Sequence, residues 1–187
     1  MKIKIIIKNF FTKAKSCFLH LHVGKNSYIG KNVKFKNPKE YLIGARVSIR
    51  PNVEIFCDEI SIGDDSDIGT RTRFDGKVEI QQSVLIGPDC YISSYDHNYK
   101  DISKSIKDAG IVAKGKIIIG NETWIGIHSV IVGGVSIGKH CVIGANSVVT
   151  QDIPDYSVVV GAPAKIISRY DFEKNMYIKL KESEKNE

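Results

Sequence analysis

Cysteine is scarce in this sequence, and the few cysteines present are not grouped. Cys17, Cys57, Cys90 and Cys141 lie far apart, and none of them belongs to a C-x-x-C or Cys–His pair. That spacing excludes the usual clustered zinc and thiol-redox motifs. We therefore expect no metal, and isolated thiols of this kind favour a reducing, cytoplasmic compartment.

Acidic residues are absent from the first 39 positions, which contain ten lysines. The whole chain has a net charge of +6, so the remaining 148 residues carry a net charge of −4. A basic arm can bind nucleic acid, but no aromatic–basic alternation or nucleic-acid motif accompanies this one. The sequence therefore predicts no nucleic-acid partner.

The sequence also lacks an apolar run long enough to cross a membrane, because lysines divide residues 1–23. Apolar residues in that segment recur at alternating steps of four and three, which predicts a basic amphipathic helix within residues 1–25. These residues are Ile3, Ile7, Phe10, Ala14, Cys17 and Leu21. Two interpretations stay open: the helix caps the end of the next domain, or it lies on the inner face of an anionic membrane.

A period of six residues dominates the rest of the chain. Aliphatic or aromatic residues recur at this spacing in two runs, which are Ile62, Ile68, Phe74, Ile80, Ile86, Ile92 and Ile119, Ile125, Ile131, Ile137, Ile143, Val149. Small or β-branched residues stand four positions after most of them, as at Thr72, Cys90 and Ser129. A fixed period of this kind determines the whole architecture.

This period fits neither an α-helix nor a simple alternating strand. It is typical of short strands joined by tight bends, in which positions i and i+4 point inward and positions i+2 and i+3 form the bend. Three units make one triangular coil, and coils stack about 4.8 Å apart through strand pairing. The sequence therefore predicts an all-β solenoid, a parallel β-helix, over residues 26–160.

The period is interrupted at two places. One residue is added near Asp58, between Ile55 and Ile62. Ile92 and Ile119 are 27 residues apart, which is not a multiple of six, so residues of about 95–116 are predicted to leave the solenoid as an excursion loop. A long loop on a rigid scaffold is usually functional.

After the solenoid, residues 161–187 are predicted to form an exit segment and a charged tail. Phe172, Met176 and Leu180 give this tail a weak helical pattern, which predicts a short terminal helix at the surface.

The repeat, the histidine in the break after Ile92, the phrase WIGIHSVIVGGVSIGKHCVIGANSVVTQDIP and the closing VVVGAPAKII resemble the hexapeptide-repeat acyltransferases. The closest similarity is to their sugar and polysaccharide O-acetyltransferase branch, and it covers roughly residues 29–169. The resemblance implies a left-handed β-helix and a homotrimer with active sites between subunits. It further implies acetyl-CoA as the donor and a saccharide as the acceptor.

His97 is the candidate catalytic residue, because acyl transfer to a hydroxyl requires a base that works near neutral pH. In the family, the corresponding loop histidine takes the proton of the acceptor hydroxyl during attack on the thioester. A backbone N–H then stabilises the oxyanion. The group that orients the imidazole stays open among three carboxylates and a backbone carbonyl; the carboxylates are Asp96, Asp75 and Glu79.

Two further sets of site residues are predicted. Tyr95 and Tyr99 are expected to line the acceptor site, because aromatic faces suit sugar rings. The resemblance implies that coenzyme A lies in a groove between two solenoids, where backbone groups hold its pantetheine arm and basic side chains lie near its phosphates. The residues at those positions are Trp124, Ile127, Ala145, Thr150, Gln151, Lys165 and Arg169.

Two alternatives remain beside O-acetylation: N-acylation of an amino-sugar nucleotide, and a solenoid without activity that serves as an assembly scaffold. A zinc enzyme on the same scaffold is disfavoured, because the sequence has no H-x4-H pair.

Overall fold

The structure, a computed structural model, describes residues 20–36 and 40–180. These residues form a β-solenoid of about seven turns with very little helix, which confirms the predicted fold class. The amphipathic helix predicted within residues 1–25 lies mostly outside the described residues. Its last part is instead the first strand of the solenoid, β1 (Leu21–Val23), which pairs in parallel with residues 41–43.

The strands lie on three faces, which we number in the order in which the chain meets them. Face I contains β1, β4 (Glu40–Ile43), β13 (Ile117–Ile119) and β16 (Ser136–Ile137). Face II contains β2 (Tyr28–Ile29), β5 (Ser48–Ile49), β7 (Asp67–Ile68), β9 (Leu85–Ile86), β14 (Trp124–Ile125), β17 (Val142–Ile143) and β19 (Ser157–Val160). Face III contains β3 (Lys34–Phe35), β10 (Tyr91–Ser93), β15 (Val130–Val132) and β18 (Val148–Val149).

Two longer strands, β6 (Glu54–Ile62) and β8 (Arg73–Ile80), run through the corner from face III to face I. The chain therefore turns at three edges of a triangular prism. We call them edge I–II, edge II–III and edge III–I after the faces that each one joins. Every face stacks in parallel register, as in the column Asp67, Leu85, Trp124 and Val142 on face II.

The core consists of the hexad residues, as the period predicted. Ile55, Phe74, Ile92 and Ile125 are all 0% exposed, and the inward i+4 positions are buried beside them. Ile29 is 36% exposed because it belongs to the first described coil, which has a neighbouring coil on only one side within the described residues. Burial of each such side chain contributes about 1.5–3 kcal/mol relative to exposure.

Hydroxyl groups at inward i+4 positions are hydrogen-bonded to the backbone. Ser129 Oγ contacts the Gly144 carbonyl of the next coil at 3.2 Å, and Thr123 Oγ1 donates to the Gly138 carbonyl of the next coil at 2.8 Å. Within the described residues, no buried side-chain nitrogen or oxygen lacks a hydrogen-bond partner. The polar positions of the core therefore tie one coil to the next at little cost in desolvation.

In the bends at edges I–II and II–III, position i+3 adopts a left-handed backbone. This position has a φ of 63° at Asp65, 59° at Glu122 and 58° at Asn146. Where a glycine follows the inward aliphatic residue, it allows adjacent coils to approach closely. At Gly126, for example, a Cβ atom would lie 2.6 Å from the Ala145 backbone nitrogen.

The C-terminal helix predicted from Phe172, Met176 and Leu180 is wrong. Residues Lys165–Asp171 form β20, which pairs antiparallel with β19, and residues Met176–Lys179 form β21, which pairs antiparallel with β20. Because β19 is the last parallel strand of face II, one of its sides would have unpaired backbone N–H and C=O groups. The returning chain pairs with these groups. Aromatic contacts secure the hairpin, such as Tyr170 against Phe172 with ring centroids 5.1 Å apart.

Candidate active site

The excursion is an insertion of 21 residues at edge III–I. Tyr91 pairs with Arg73, which stands 18 residues earlier, but its partner in the next coil is Val130, 39 residues later. The coil therefore closes in register on both sides of the inserted segment. At the base of the insertion, the Lys114 N–H donates to the Ser94 carbonyl at 2.8 Å.

The inserted segment is a hairpin and not an irregular loop. Strand β11 (Tyr95–His97) pairs antiparallel with β12 (Ile111–Ala113), so His97 lies opposite Ile111. The tip includes one helical turn, α1 (Ile106–Ala109). The sequence predicted the position of this segment but not its strands, because its apolar residues show no period-two alternation of the kind that marks a strand.

His97 stands at the end of β11 and is exposed to solvent. Its backbone N–H donates to Asp96 Oδ1 at 2.8 Å. Within the described residues, its imidazole has no hydrogen-bond or ion-pair partner. Both ring nitrogens are therefore available to a substrate or to another subunit.

The three carboxylates considered as orienting groups are all engaged elsewhere. Asp75, which is 8% exposed, accepts two hydrogen bonds from Arg73 at 2.8 and 3.1 Å. Glu79 Oε2 lies 3.2 Å from Lys116 Nζ, and Asp96 Oδ2 lies 3.7 Å from Lys114 Nζ. None of the three contacts the imidazole of the same chain, and the orienting group stays a prediction.

The two tyrosines predicted for the acceptor site differ in their surroundings. The Tyr95 hydroxyl donates to Asp58 Oδ2 at 2.8 Å, and its ring is half-buried against the solenoid. Tyr99 is 55% exposed, and Lys114 Nζ lies 5.9 Å from its ring centroid. Sequence reasoning missed Asp58 as the partner of Tyr95, although the added residue in the repeat marked its position.

Three of the seven residues predicted to hold coenzyme A form one column along edge II–III. The Ile127 carbonyl accepts the Asn146 N–H at 3.0 Å, which places Ile127 and Ala145 in adjacent bends. The next bend is the GAPAK segment, where the Ala164 N–H donates to the Val148 carbonyl at 2.8 Å. Lys165 follows directly and is exposed.

Trp124, another predicted coenzyme residue, flanks this column. It is 51% exposed and lies on face II beside the bend that contains Ile127. Arg169 is exposed on β20 opposite Ser157, at the other end of face II, next to edge I–II. The exposed backbone of the bends, one aromatic face and the Lys165 ammonium suit a long thioester ligand with terminal phosphates.

Thr150 and Gln151 lie away from that column. They follow β18 and are exposed at edge III–I, the edge from which the hairpin also projects. One chain thus places His97, Thr150 and Gln151 on one edge of the prism and the Ile127–Ala145 column on another.

The comparisons with known proteins agree with this fold. The family model described as bacterial transferase hexapeptide (six repeats) matches residues 116–151. The galactoside O-acetyltransferase of Escherichia coli K12 is 33% identical over 159 residues, which cover 84% of this chain and 68% of that relative. The chain therefore belongs to the hexapeptide-repeat acyltransferase family.

Two other proteins show the range of this similarity. A probable acetyltransferase of Mycobacterium tuberculosis is 44% identical over 112 residues, which cover 60% of this chain; the match spans 36% of that relative's length. Among solved structures, the N-acyltransferase AntD of Bacillus cereus is 26% identical with a TM-score of 0.70. The match covers 81% of this chain and 84% of AntD, whose matched structure is that of a single-residue mutant in complex with dTDP-4-amino-4,6-dideoxyglucose and coenzyme A.

Neither a membrane-spanning helix nor a metal-binding cluster is present among the described residues. They contain no helix of the length and apolarity needed to span a membrane. They also contain no group of three or more histidine, cysteine, aspartate or glutamate side chains placed to hold a metal ion.

Proposed function

We propose that this protein is an O-acetyltransferase that moves an acetyl group from acetyl-CoA to a hydroxyl of a saccharide. The observation that carries the proposal is the unengaged, exposed imidazole of His97, held on a hairpin that projects from an acyltransferase solenoid. The E. coli relative named galactoside O-acetyltransferase supports the reaction and the class of acceptor.

His97 acts as the general base in this proposal. Its neutral imidazole takes the proton of the acceptor hydroxyl as the oxygen attacks the thioester carbonyl, and it later returns that proton to the departing thiolate. Such proton transfer typically accelerates a reaction by about 10²–10⁴-fold. Acetyl-CoA supplies the activated acetyl group, and the residues that would hold it are Trp124, Ile127, Ala145 and Lys165.

The positions of these residues favour an active site shared by two copies of the chain. His97 lies at edge III–I, whereas Ile127 and Ala145 lie at edge II–III, and face III separates the two edges. A site between copies can combine edge III–I of one copy with edge II–III of the next. Exposed apolar side chains on the hairpin, such as Ile102 and Ile106 at 95% and 56%, would then be covered by the neighbour.

A closed trimer satisfies this requirement if edge I–II faces the three-fold axis. Face II of one copy then contacts face I of the next, which would cover Leu85 and Trp124, 47% and 51% exposed, and Leu42, 41% exposed. Several charges along edge I–II are already paired within the chain. Arg46 Nη2 lies 2.7 Å from Asp65 Oδ2, and Lys139 Nζ lies 4.0 Å from Asp155 Oδ2.

N-acylation is the second candidate, because AntD is an N-acyltransferase solved with an amino-sugar nucleotide and its TM-score is 0.70. A thiol-release assay with acetyl-CoA and two panels of acceptors separates the candidates. One panel contains hydroxyl-bearing saccharides and the other contains 4-amino- and 3-amino-sugar nucleotides. The proposal expects acceptor-dependent thiol release with the hydroxyl panel, and release with the amino panel alone would replace O-acetylation by N-acylation.

A further inference from the structure

The residue added to the repeat near Asp58 forms a β-bulge at edge III–I. Strand β6 runs without interruption from Glu54 to Ile62, but its pairing with β8 shifts register between Cys57 and Glu59. A bulge of this kind bends a strand and redirects one side chain. Asp58 is the residue between the two registers, and it is half-buried.

A buried tyrosine supports the bulge from inside the solenoid. Tyr41 on β4 is 0% exposed, and its hydroxyl lies 2.7 Å from the Cys57 carbonyl and 3.1 Å from the Ile55 carbonyl. Buried carbonyl groups next to an irregular residue need such a partner, because an unpaired one costs about 1–3 kcal/mol. The bulge is therefore a fixed part of the core.

Asp58 connects this bulge to the catalytic hairpin. Its Oδ2 accepts a hydrogen bond from the Tyr95 hydroxyl, and the two oxygen atoms are 2.8 Å apart. The hydrogen bond to this carboxylate, with burial and the nearby negative charge, raises the pKa of Tyr95 to about 12. The tyrosine therefore stays a donor, and a bond between a hydroxyl and an ionised carboxylate is stronger than a neutral one.

Tyr95 and His97 are separated by one residue on the same strand. Successive side chains of a strand point to opposite faces, so Tyr95 and His97 share a side of β11 and Asp96 occupies the other. The Tyr95–Asp58 bond thus determines which side of β11 faces the solenoid. The bond also limits rotation of β11 about its own axis, and therefore the direction in which the His97 side chain points.

We infer that Tyr95 and Asp58 are positioning residues that hold His97 in its working direction. The inference rests on the proposed role of His97 as the base, and it assigns Tyr95 to tethering the hairpin and not to binding the sugar. Neither residue takes part in the proton transfer itself. A base displaced by about 1 Å can lose about 10²-fold in rate.

The test compares kcat and KM for both substrates in Tyr95→Phe, Asp58→Ala and Asp58→Asn, once an acceptor has been found. Tyr95→Phe and Asp58→Ala should each lower kcat by about 10- to 100-fold, with the KM for acetyl-CoA unchanged. Asp58→Asn should keep most of the activity, because its amide oxygen can still accept the tyrosine proton. The double variant Tyr95→Phe with Asp58→Ala should lose no more than Asp58→Ala alone, because the Tyr95 hydroxyl has no acceptor left once Asp58 is replaced.

Tyr177→Phe is the matched control. The Tyr177 hydroxyl donates to the His140 carbonyl at 3.1 Å, so it also ties a hairpin to the solenoid, but far from the catalytic edge. This variant should keep the wild-type kcat. A similar loss in Tyr177→Phe would show that the effect reflects general loosening of the fold.

Three results would overturn the inference. They are a wild-type kcat in Tyr95→Phe, a change confined to the KM for the saccharide, and additive losses in the double variant. If Tyr95→Phe does not fold, the comparison of Asp58→Asn with Asp58→Ala decides the same question. The proposed function fails separately, when His97→Ala retains full activity.

Discussion

Single residues in this protein have roles that follow from their position within each six-residue unit. Residues at i and i+4 form the core, and residues at i+3 adopt the left-handed backbone of the bends at edges I–II and II–III. Cys57, which stands two positions after Ile55 beside the bulge, is buried as well, with 1% exposure. Burial raises the pKa of its thiol, and the nearby Asp75 and Asp58 act in the same direction.

This raised pKa predicts how stability depends on pH. The thiol has an ordinary pKa of 9.0, so above that pH the unfolded chain loses the proton while the folded chain keeps it. The unfolded state then binds fewer protons, and the free energy of unfolding falls by about 1.4 kcal/mol for each further pH unit. Urea unfolding at pH 7.5 and pH 10, at one protein concentration, should therefore show a smaller pH-dependent loss in Cys57→Ala than in the wild type. Equal losses in both proteins would contradict the assignment.

At this scale, the sequence predicted the inward and bend positions because the period encodes them directly. It did not predict the partners of polar side chains across edge III–I. Asp58 and Tyr95 are 37 positions apart and are brought together by coil stacking and by a bulge. Likewise the sequence predicts Asp75 and Glu79 as possible partners of His97. In the structure, Asp75 accepts from Arg73 and Glu79 pairs with Lys116.

At the scale of elements, the hairpin is an insertion into an otherwise continuous solenoid. Removal of residues 95–115 would leave Ile92 and Ile119 six positions apart, which restores the regular repeat. The shortened chain should therefore fold, with a β-rich far-UV circular dichroism spectrum and a cooperative thermal transition. It should transfer no acetyl group, because His97 has been removed. A shortened protein that fails to fold would show that the hairpin is required for the solenoid.

The two ends of the described chain show where element prediction from sequence is limited. The terminal segment Met176–Lys179 has a weak helical pattern, yet it forms a strand because β19 and β20 present an edge that it can pair with. Tertiary pairing outweighs local periodicity in such short segments. Strand β1 shows the same effect, since Leu21 fitted the predicted helix and pairs with Tyr41 in the solenoid.

At the scale of the whole molecule, the prism has three edges with different roles. The hairpin projects from edge III–I, the proposed coenzyme column follows edge II–III, and edge I–II is left to face the axis of the proposed trimer. The handedness of the coil and the trimer came from the resemblance and not from the period. The period repeats identically within one chain and contains no information on how copies meet.

Cross-linking tests this arrangement, because equivalent residues of three copies approach one another only near the axis. In a Cys17→Ser background, Gln82→Cys on edge I–II should form disulfide-linked dimers in a trimeric assembly. Ala145→Cys, at the equivalent bend position on edge II–III, should form none. The natural thiols Cys57, Cys90 and Cys141 are buried and should not interfere. Light scattering measures the number of copies in the assembly independently. Cross-links from Ala145→Cys alone would place the axis at edge II–III and contradict the proposed arrangement.

The central claim is that His97 is the base for acetyl transfer, and the most direct test is the thiol-release rate of His97→Ala with an identified acceptor. His22→Ala, which removes an exposed histidine of the first coil, is the matched control and should retain wild-type activity. The account predicts that His97→Ala lowers kcat by at least about 10²-fold while the assembly and the affinity for acetyl-CoA stay unchanged. Full activity of His97→Ala would contradict it.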